Sequence, residues 1–271
     1  MKMKKWAVLV AAGALVASLA LFGCSSGGGQ DSGTKSGEGS GTDAGYALIN
    51  DGKLTVAASL DFPPFENLNG NAPEGFAVDL MGLLAEEMGL ECSYLPSTKF
   101  DTIVPLIQTG GKADVGVSSF TVTDERLEQI DFTDTYCDVN QSLTVLKDSG
   151  ITDVAQLEGK KVGAQTGTTG YEWAAENIKD VEVVGFDEMT AVFAALQSGQ
   201  IDAVAVDLPV ANYYVKTAYT DCQVIKEIPT GEQYAIVVSK DNPELTKALN
   251  TALKAVHENG KYDELAAKWL Q

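Results

Sequence analysis

The chain has 271 residues, 38 acidic side chains against 19 basic ones, a formal net charge of −19 and a single histidine. That balance argues against nucleic acid as a partner, because phosphate binding needs a concentrated basic surface, and one histidine leaves little room for a Ser-His-Asp triad, a Cys-His pair or a zinc cluster. With 45% hydrophobic and 21% charged residues, the composition is that of a globular chain able to build one large domain or two smaller ones.

Residues 1–23 begin with Lys2, Lys4 and Lys5 and then run apolar from Trp6 to Phe22. This is the plan of an export signal; a single membrane span is the competing reading, since the run is nearly long enough. Leu21-Phe22-Gly23-Cys24 resembles a bacterial lipobox. The resemblance implies a lipoprotein signal peptide over 1–23, lipidation of Cys24, and a protein anchored by lipid on the extracytoplasmic face of the cell membrane. Residues 25–45 hold eight glycines and five serines. Such a segment cannot bury a core, so 24–46 reads as a flexible tether with a mean reach of about 25 Å. Of Cys92, Cys137 and Cys222, at most two can pair within the chain, and buried thiols without a disulfide framework are expected.

From about Asn50 strand-like and helix-like segments alternate, which predicts α/β architecture. Residues 53–59 read as a strand. Residues 77–89 carry Leu80, Leu83, Leu84 and Met88 at helical spacing, residues 103–109 form a second helical stretch, and 113–118 a short buried strand. A partial repeat follows. Leu106-Ile107-Gln108-Thr109-Gly110 with the strand from Ala113 is echoed by Ala195-Leu196-Gln197-Ser198-Gly199 with the strand from Ile201, and Gly52-Lys53-Leu54 by Gly159-Lys160-Lys161. Two matched pairs in the same order predict two lobes of similar topology. Ligands of open α/β sheets collect beyond the carboxyl ends of strands, here Ser59 and Ser118-Ser119 in one half, Gln165-Thr166 and Asp207 in the other.

Three features stand near those ends. Gly167-Thr168-Thr169-Gly170 opens a helix, whose free N–H groups favour an anion; alone it is better read as capping. The GxxxxGK[ST] phosphate loop is absent. Asp207 before Leu208-Pro209 reads, alone, as an ordinary N-cap. Arg126 is different. The other eighteen basic residues are lysines, whereas the arginine fork is suited to gripping a carboxylate with two parallel bonds.

The stretch from Ser118 to Arg126, followed by Ile130-Asp131-Phe132-Thr133-Asp134-Thr135-Tyr136, resembles the polar amino acid-binding proteins of ABC importers, solute-binding family 3. Pro64-Phe65-Glu66, the run from Gly75 to Leu80, Gly167-Thr168-Thr169, the run from Gly199 to Asp207, and Gly260 to Leu265 with Lys268-Trp269 are similar as well. The likeness spans nearly everything after the tether. Ala77 departs from it, standing where the family usually has an acidic residue.

The resemblance implies a two-lobed, type II periplasmic-binding-protein-like α/β fold, each lobe a mixed sheet flanked by helices, with two hinge crossings. Lobe 1 would comprise 47–138 and 234–271, and lobe 2 would comprise 139–233. It implies that Arg126 grips the α-carboxylate of a free amino acid with help from Thr121 and from Thr168 at the helix start. Asp207 and the Ser119 carbonyl would take the α-ammonium, beside Ser118. Phe62 and Phe100 match positions that flank the ligand side chain; core packing is the plainer reading of both. Ser59 stands where relatives that bind basic amino acids often place aspartate, and Gln165 is polar and uncharged. A neutral polar amino acid is therefore expected, with a basic one possible through Glu66 or Asp61. The implied partners are the membrane permease subunits of the importer, reached by a monomer that needs no cofactor and no metal. A same-fold enzyme of the cyclohexadienyl or arogenate dehydratase type, or a ligand sensor for a membrane receptor, are the rival functions.

Overall fold

The structure, a computed structural model, describes residues 45–270; the signal segment, Cys24 and nearly all of the tether lie outside these residues. The first half runs β1 (Lys53–Ala57), β2 (Asp61–Phe62), β3 (Glu66–Asn69), β4 (Ala72–Glu74), α1 (Phe76–Glu87), β5 (Glu91–Tyr94), α2 (Phe100–Thr109), β6 (Val115–Thr121), α3 (Asp124–Gln129) and β7 (Asp131–Phe132). A long strand, β8 (Cys137–Leu146), leads into β9 (Lys161–Gln165), α4 (Thr169–Asn177), β10 (Glu182–Phe186), α5 (Met189–Gln197), β11 (Ala203–Asp207) and α6 (Leu208–Thr217). A second long strand, β12 (Cys222–Val238), returns to α7 (Pro243–Glu258) and α8 (Lys261–Trp269).

The main sheet has the order β10-β9-β11-β8-β12-β6-β1-β5, with β7 also paired to β12. Parallel triplets stand at the two ends: β1 between β5 and β6, and β9 between β10 and β11. Parallel strands covered by helices on both faces are apolar throughout, and β6 and β11 are buried along their whole length. Between the triplets, β8 and β12 pair antiparallel from Cys137↔Tyr234 to Leu146↔Cys222, with an irregularity between Ile228 and Glu232. The molecule is thus two α/β lobes joined by two strand crossings, and the broken pairing marks where the second crossing departs from a regular ladder.

Core packing follows the apolar stripes. Leu80 and Leu84 of α1 and Leu249 and Val256 of α7 are fully buried in one apolar cluster with Leu54 and Val56 of β1; each such side chain contributes about 1.5–3 kcal/mol. Two segments differ from their sequence reading. Strand β1 ends at Ala57, two residues before Ser59. Strand β6 continues beyond Ser118 to Thr121, because Phe120 and Thr121 pair with Ala235 and Tyr234 of β12. Ser118 and Ser119 therefore lie within a strand and not at its end. Cys92, Cys137 and Cys222 are free thiols, the first two half-buried and the third buried. His257 is exposed and stacks on Tyr262 with ring centroids 4.0 Å apart.

Candidate functional site

On the first lobe, Thr123 caps α3, its hydroxyl accepting the Arg126 N–H at 3.2 Å. The cap orients the first turn so that the Arg126 side chain returns to β6. There Nη1 donates to the Thr121 carbonyl at 2.7 Å, and the guanidinium lies 5.6 Å from the ring centroids of both Phe100 and Phe120. Burial pulls the Arg126 pKa down, while the charges of Glu172, Asp207 and Glu232 pull it back up. Ser119 has a positive φ of 50°, a conformation that costs a non-glycine residue energy and persists only where its surroundings enforce it. Glu66 provides the restraint, accepting the Ser119 N–H on Oε1 at 3.0 Å and its hydroxyl on Oε2 at 2.9 Å. Complete burial raises the Glu66 pKa to about 8 against the pull of those two donors.

On the second lobe, Gly167 holds a φ of 81° in the turn before α4, with its carbonyl accepting from Arg126 Nη2 at 2.9 Å. Thr168 caps the helix, its hydroxyl accepting the Tyr171 N–H and donating to the Gln165 carbonyl. The opening N–H groups of α4 have no intrahelical partner, and the Thr169 hydroxyl of the same turn stands 3.5 Å from that of Thr121 in the first lobe. Asp207 occupies the N-cap position of α6 but makes no side-chain cap bond. Its Oδ1 instead accepts from Gln141 Nε2 at 3.1 Å. Burial, followed by the nearby Glu232 charge, raises its pKa to about 7. Gln165 is buried and donates to the Asp187 carbonyl at 3.0 Å.

These residues meet in one narrow cavity of about 10 Å³ between the lobes. Phe62, Phe100, Ser118, Ser119, Thr121, Arg126, Gln165, Thr168 and Asp207 all line it, joined by Thr169, the next residue of the turn that opens α4. Ser59 stands behind the wall, its N–H donating to Ser118 Oγ and its hydroxyl to Asp61 Oδ1. Asp61 reaches across the cleft: its Oδ2 accepts the Met189 N–H at the start of α5, at 2.6 Å. Its carbonyl accepts from the Tyr214 hydroxyl. Burial raises the Asp61 pKa. At the rim Lys99 and Asp187 pair between lobes. The Thr121 hydroxyl, expected to face a ligand, donates to Glu232 on β12. Sequence reasoning misses Glu232 and Gln141 because their roles depend on how the two crossing strands pair; a lone acid beside Gly231 in the second crossing is the only signal. Among the described residues no cluster of three or more His, Cys, Asp or Glu side chains is placed to hold a metal ion.

Two hinged α/β lobes that bring together a buried guanidinium, a buried carboxyl and a row of donors make a cleft suited to a small zwitterion, the construction of a solute-binding protein. Residues 54–271 match the bacterial extracellular solute-binding proteins, family 3, and the chain belongs to that family. It is 33% identical over 279 residues to a Neisseria gonorrhoeae protein named "Probable histidine-binding protein", covering 99% of this chain and 96% of that one. It is 31% identical to an ABC transporter glutamine-binding protein of Bacillus subtilis, covering 83% of this chain and 84% of the relative. Among solved structures, an ancestral arginine-binding protein bound to arginine superposes with a TM-score of 0.76 at 37% identity, covering 81% of this chain and 99% of the other. Its relatives are thus amino acid-binding proteins, and among the described residues no helix is long and apolar enough to cross a membrane.

Proposed function

We propose that this chain is the substrate-binding protein of an ABC-type importer that captures a free amino acid with a neutral, hydrogen-bonding side chain and delivers it to the membrane permease. Capture takes place between lobe 1, residues 47–138 and 234–271, and lobe 2, residues 139–233. The observation that carries the reading is the charge count of the cavity wall: among the described residues, Arg126 and Asp207 are its only charged members. An α-carboxylate on Arg126 and the opening N–H groups of α4, with an α-ammonium on Asp207, would use both. Phe62, Phe100, Ser118 and Gln165 then remain for the side chain. Asp61 and Glu66, the acids that could have met a cationic side chain, are already hydrogen-bonded to Ser59, Met189 and Ser119. Burying a cation without a carboxylate of its own is costly. Arginine is the second reading, favoured by Asp61 directly behind Ser59.

A melting screen of the protein against the amino acids tests the proposal. Glutamine or asparagine at a hundred times its Kd should stabilise by about 2.7 kcal/mol, a rise of roughly 5–10 °C for a body of this size, and be recovered chemically unchanged. A larger shift with arginine or lysine overturns the neutral reading, and no shift with any amino acid overturns amino acid binding. Turnover of a prephenate-like compound would favour the dehydratase-type enzyme.

A further inference from the structure

Glu232 does not line the cavity but is hydrogen-bonded to two residues that do, Thr121 and Thr169. Glu232 is half-buried on β12, at the break in its pairing with β8 and beside Gly231. Its Oε2 accepts from Thr169 Oγ1 at 2.6 Å, Thr121 Oγ1 at 2.8 Å and Gln141 Nε2 at 3.2 Å. Thr121 ends β6 in the first lobe, Thr169 opens α4 in the second, and Gln141 belongs to the β8 crossing. One oxygen therefore collects donors from both lobes and from the hinge. The same Gln141 amide nitrogen is 3.1 Å from Asp207 Oδ1, so Glu232 and Asp207 are joined through a single side chain. A threonine hydroxyl has one hydrogen; with that of Thr121 on Glu232, the hydroxyl has none to give a ligand.

We propose that Glu232 is a positioning residue that latches the lobes shut, tying Thr121 to Thr169 only when they meet and so setting how long a captured amino acid is held. The inference rests on the amino acid-binding reading. A contact made only in the closed form shifts the open–closed equilibrium by its own differential free energy, and a ligand held by both lobes leaves only after they part. Loss of the latch therefore appears in the dissociation rate, while encounter with the open form is unchanged. Charge-assisted hydrogen bonds are about twice as strong as neutral ones, which makes a carboxylate a better latch here than an amide.

A merely structural role for Glu232 in the crossing strand predicts something different. The charged and titratable groups around Glu232 and Asp207 include Arg126 from α3, Glu172 from α4, Glu66 from β3, Tyr234 from β12 and Cys137 from β8. Burial first, and the Glu232 charge second, keep the neighbouring Asp207 carboxyl raised. Removal of that charge should move the acid-side loss of affinity to lower pH in both Glu232→Gln and Glu232→Ala, a change that packing alone would not produce.

The experiment measures association and dissociation of L-glutamine by stopped-flow fluorescence, or of L-arginine if that is what the protein holds. Small-angle X-ray scattering of the amino acid-free protein accompanies it. Glu232→Ala should raise the dissociation rate about tenfold and Glu232→Gln about threefold, with association rates within about twofold of the parent. Glu227→Ala, which removes a carboxylate of the same strand bonded to Asn140, should change neither rate. The radius of gyration should be larger for Glu232→Ala than for the parent. An unchanged dissociation rate and pH profile in folded Glu232→Gln overturn the latch, and that variant alone decides if the alanine variant does not fold. If the parent binds no amino acid, the functional reading fails separately; equal radii for parent and Glu232→Ala then overturn the latch as well.

Discussion

Arg126 gives two of its five N–H donors to protein carbonyls, one at Thr121 in the first lobe and one at Gly167 in the second, and three remain for a ligand. The rings of Phe100 and Phe120 stack 4.6 Å apart, and the guanidinium carbon lies over both at 5.6 Å from each centroid. A lysine ammonium could not serve two carbonyls and a planar carboxylate from one point. Loss of a buried, hydrogen-bonded charge pairing is worth about 3 kcal/mol. Arg126→Ala should therefore weaken amino acid binding at least about a hundredfold by calorimetry, with a far-ultraviolet circular dichroism spectrum like that of the parent. An affinity within about tenfold of the parent counts against the carboxylate role. Arg126 is visible in the sequence because the choice of arginine over lysine carries chemical information without any knowledge of neighbours. Ser119 is visible as a motif member only; its positive φ, imposed by Glu66 53 positions away in the chain, has no local sequence sign.

Helix α4 brings its first turn to the cleft through one close approach. A methyl group on Gly170 would stand 2.9 Å from Gln141 Oε1 and 3.1 Å from the Ala205 carbonyl oxygen. The second of these is strand backbone that cannot swing away. Gly170→Ala should thus push the helix start off β11, at about 1–3 kcal/mol, lowering the melting temperature by roughly 2–4 °C per kcal/mol and weakening binding. A melting temperature and affinity equal to the parent's would show that the turn yields without cost. At this scale the strand–turn–helix units are legible: β9 ends at Gln165 and β11 at Asp207, where apolar runs meet Gly or Pro. The crossing strands are legible only as extended chain. Gln141 reads as one polar residue in the run Gln141-Ser142-Leu143-Thr144-Val145, and only the pairing of β8 with both β11 and β12 turns it toward Asp207 and Glu232. Likewise β6 gains Phe120 and Thr121 from β12, a partner more than a hundred residues later in the chain.

At the scale of the whole molecule, two sources of pH dependence overlap, and their physics separates them. The net charge of −19 produces a diffuse self-repulsion that grows as surface carboxylates ionise. Glu66 and Asp207 act locally: burial, with the Glu232 charge added at Asp207, lifts their carboxyls to about 8 and about 7, whereas the unfolded chain releases those protons near pH 4. The folded state thus binds more protons than the unfolded state between about pH 4 and pH 8, so stability falls as pH rises through that window and levels off above it. Each pH unit within the window costs at most about 1.4 kcal/mol per such group. Roughly 1 M salt shortens the screening length to about 3 Å and removes most of the surface term, but screens a buried carboxylate little. The amino acid-free protein in roughly 1 M sodium chloride should therefore melt several degrees lower at about pH 8.5 than at about pH 5.5, and Glu66→Gln should make that slope shallower. Calorimetric melts across the range decide it: a slope abolished by salt would assign the whole effect to the net charge and would mean that the two carboxylates are ionised throughout.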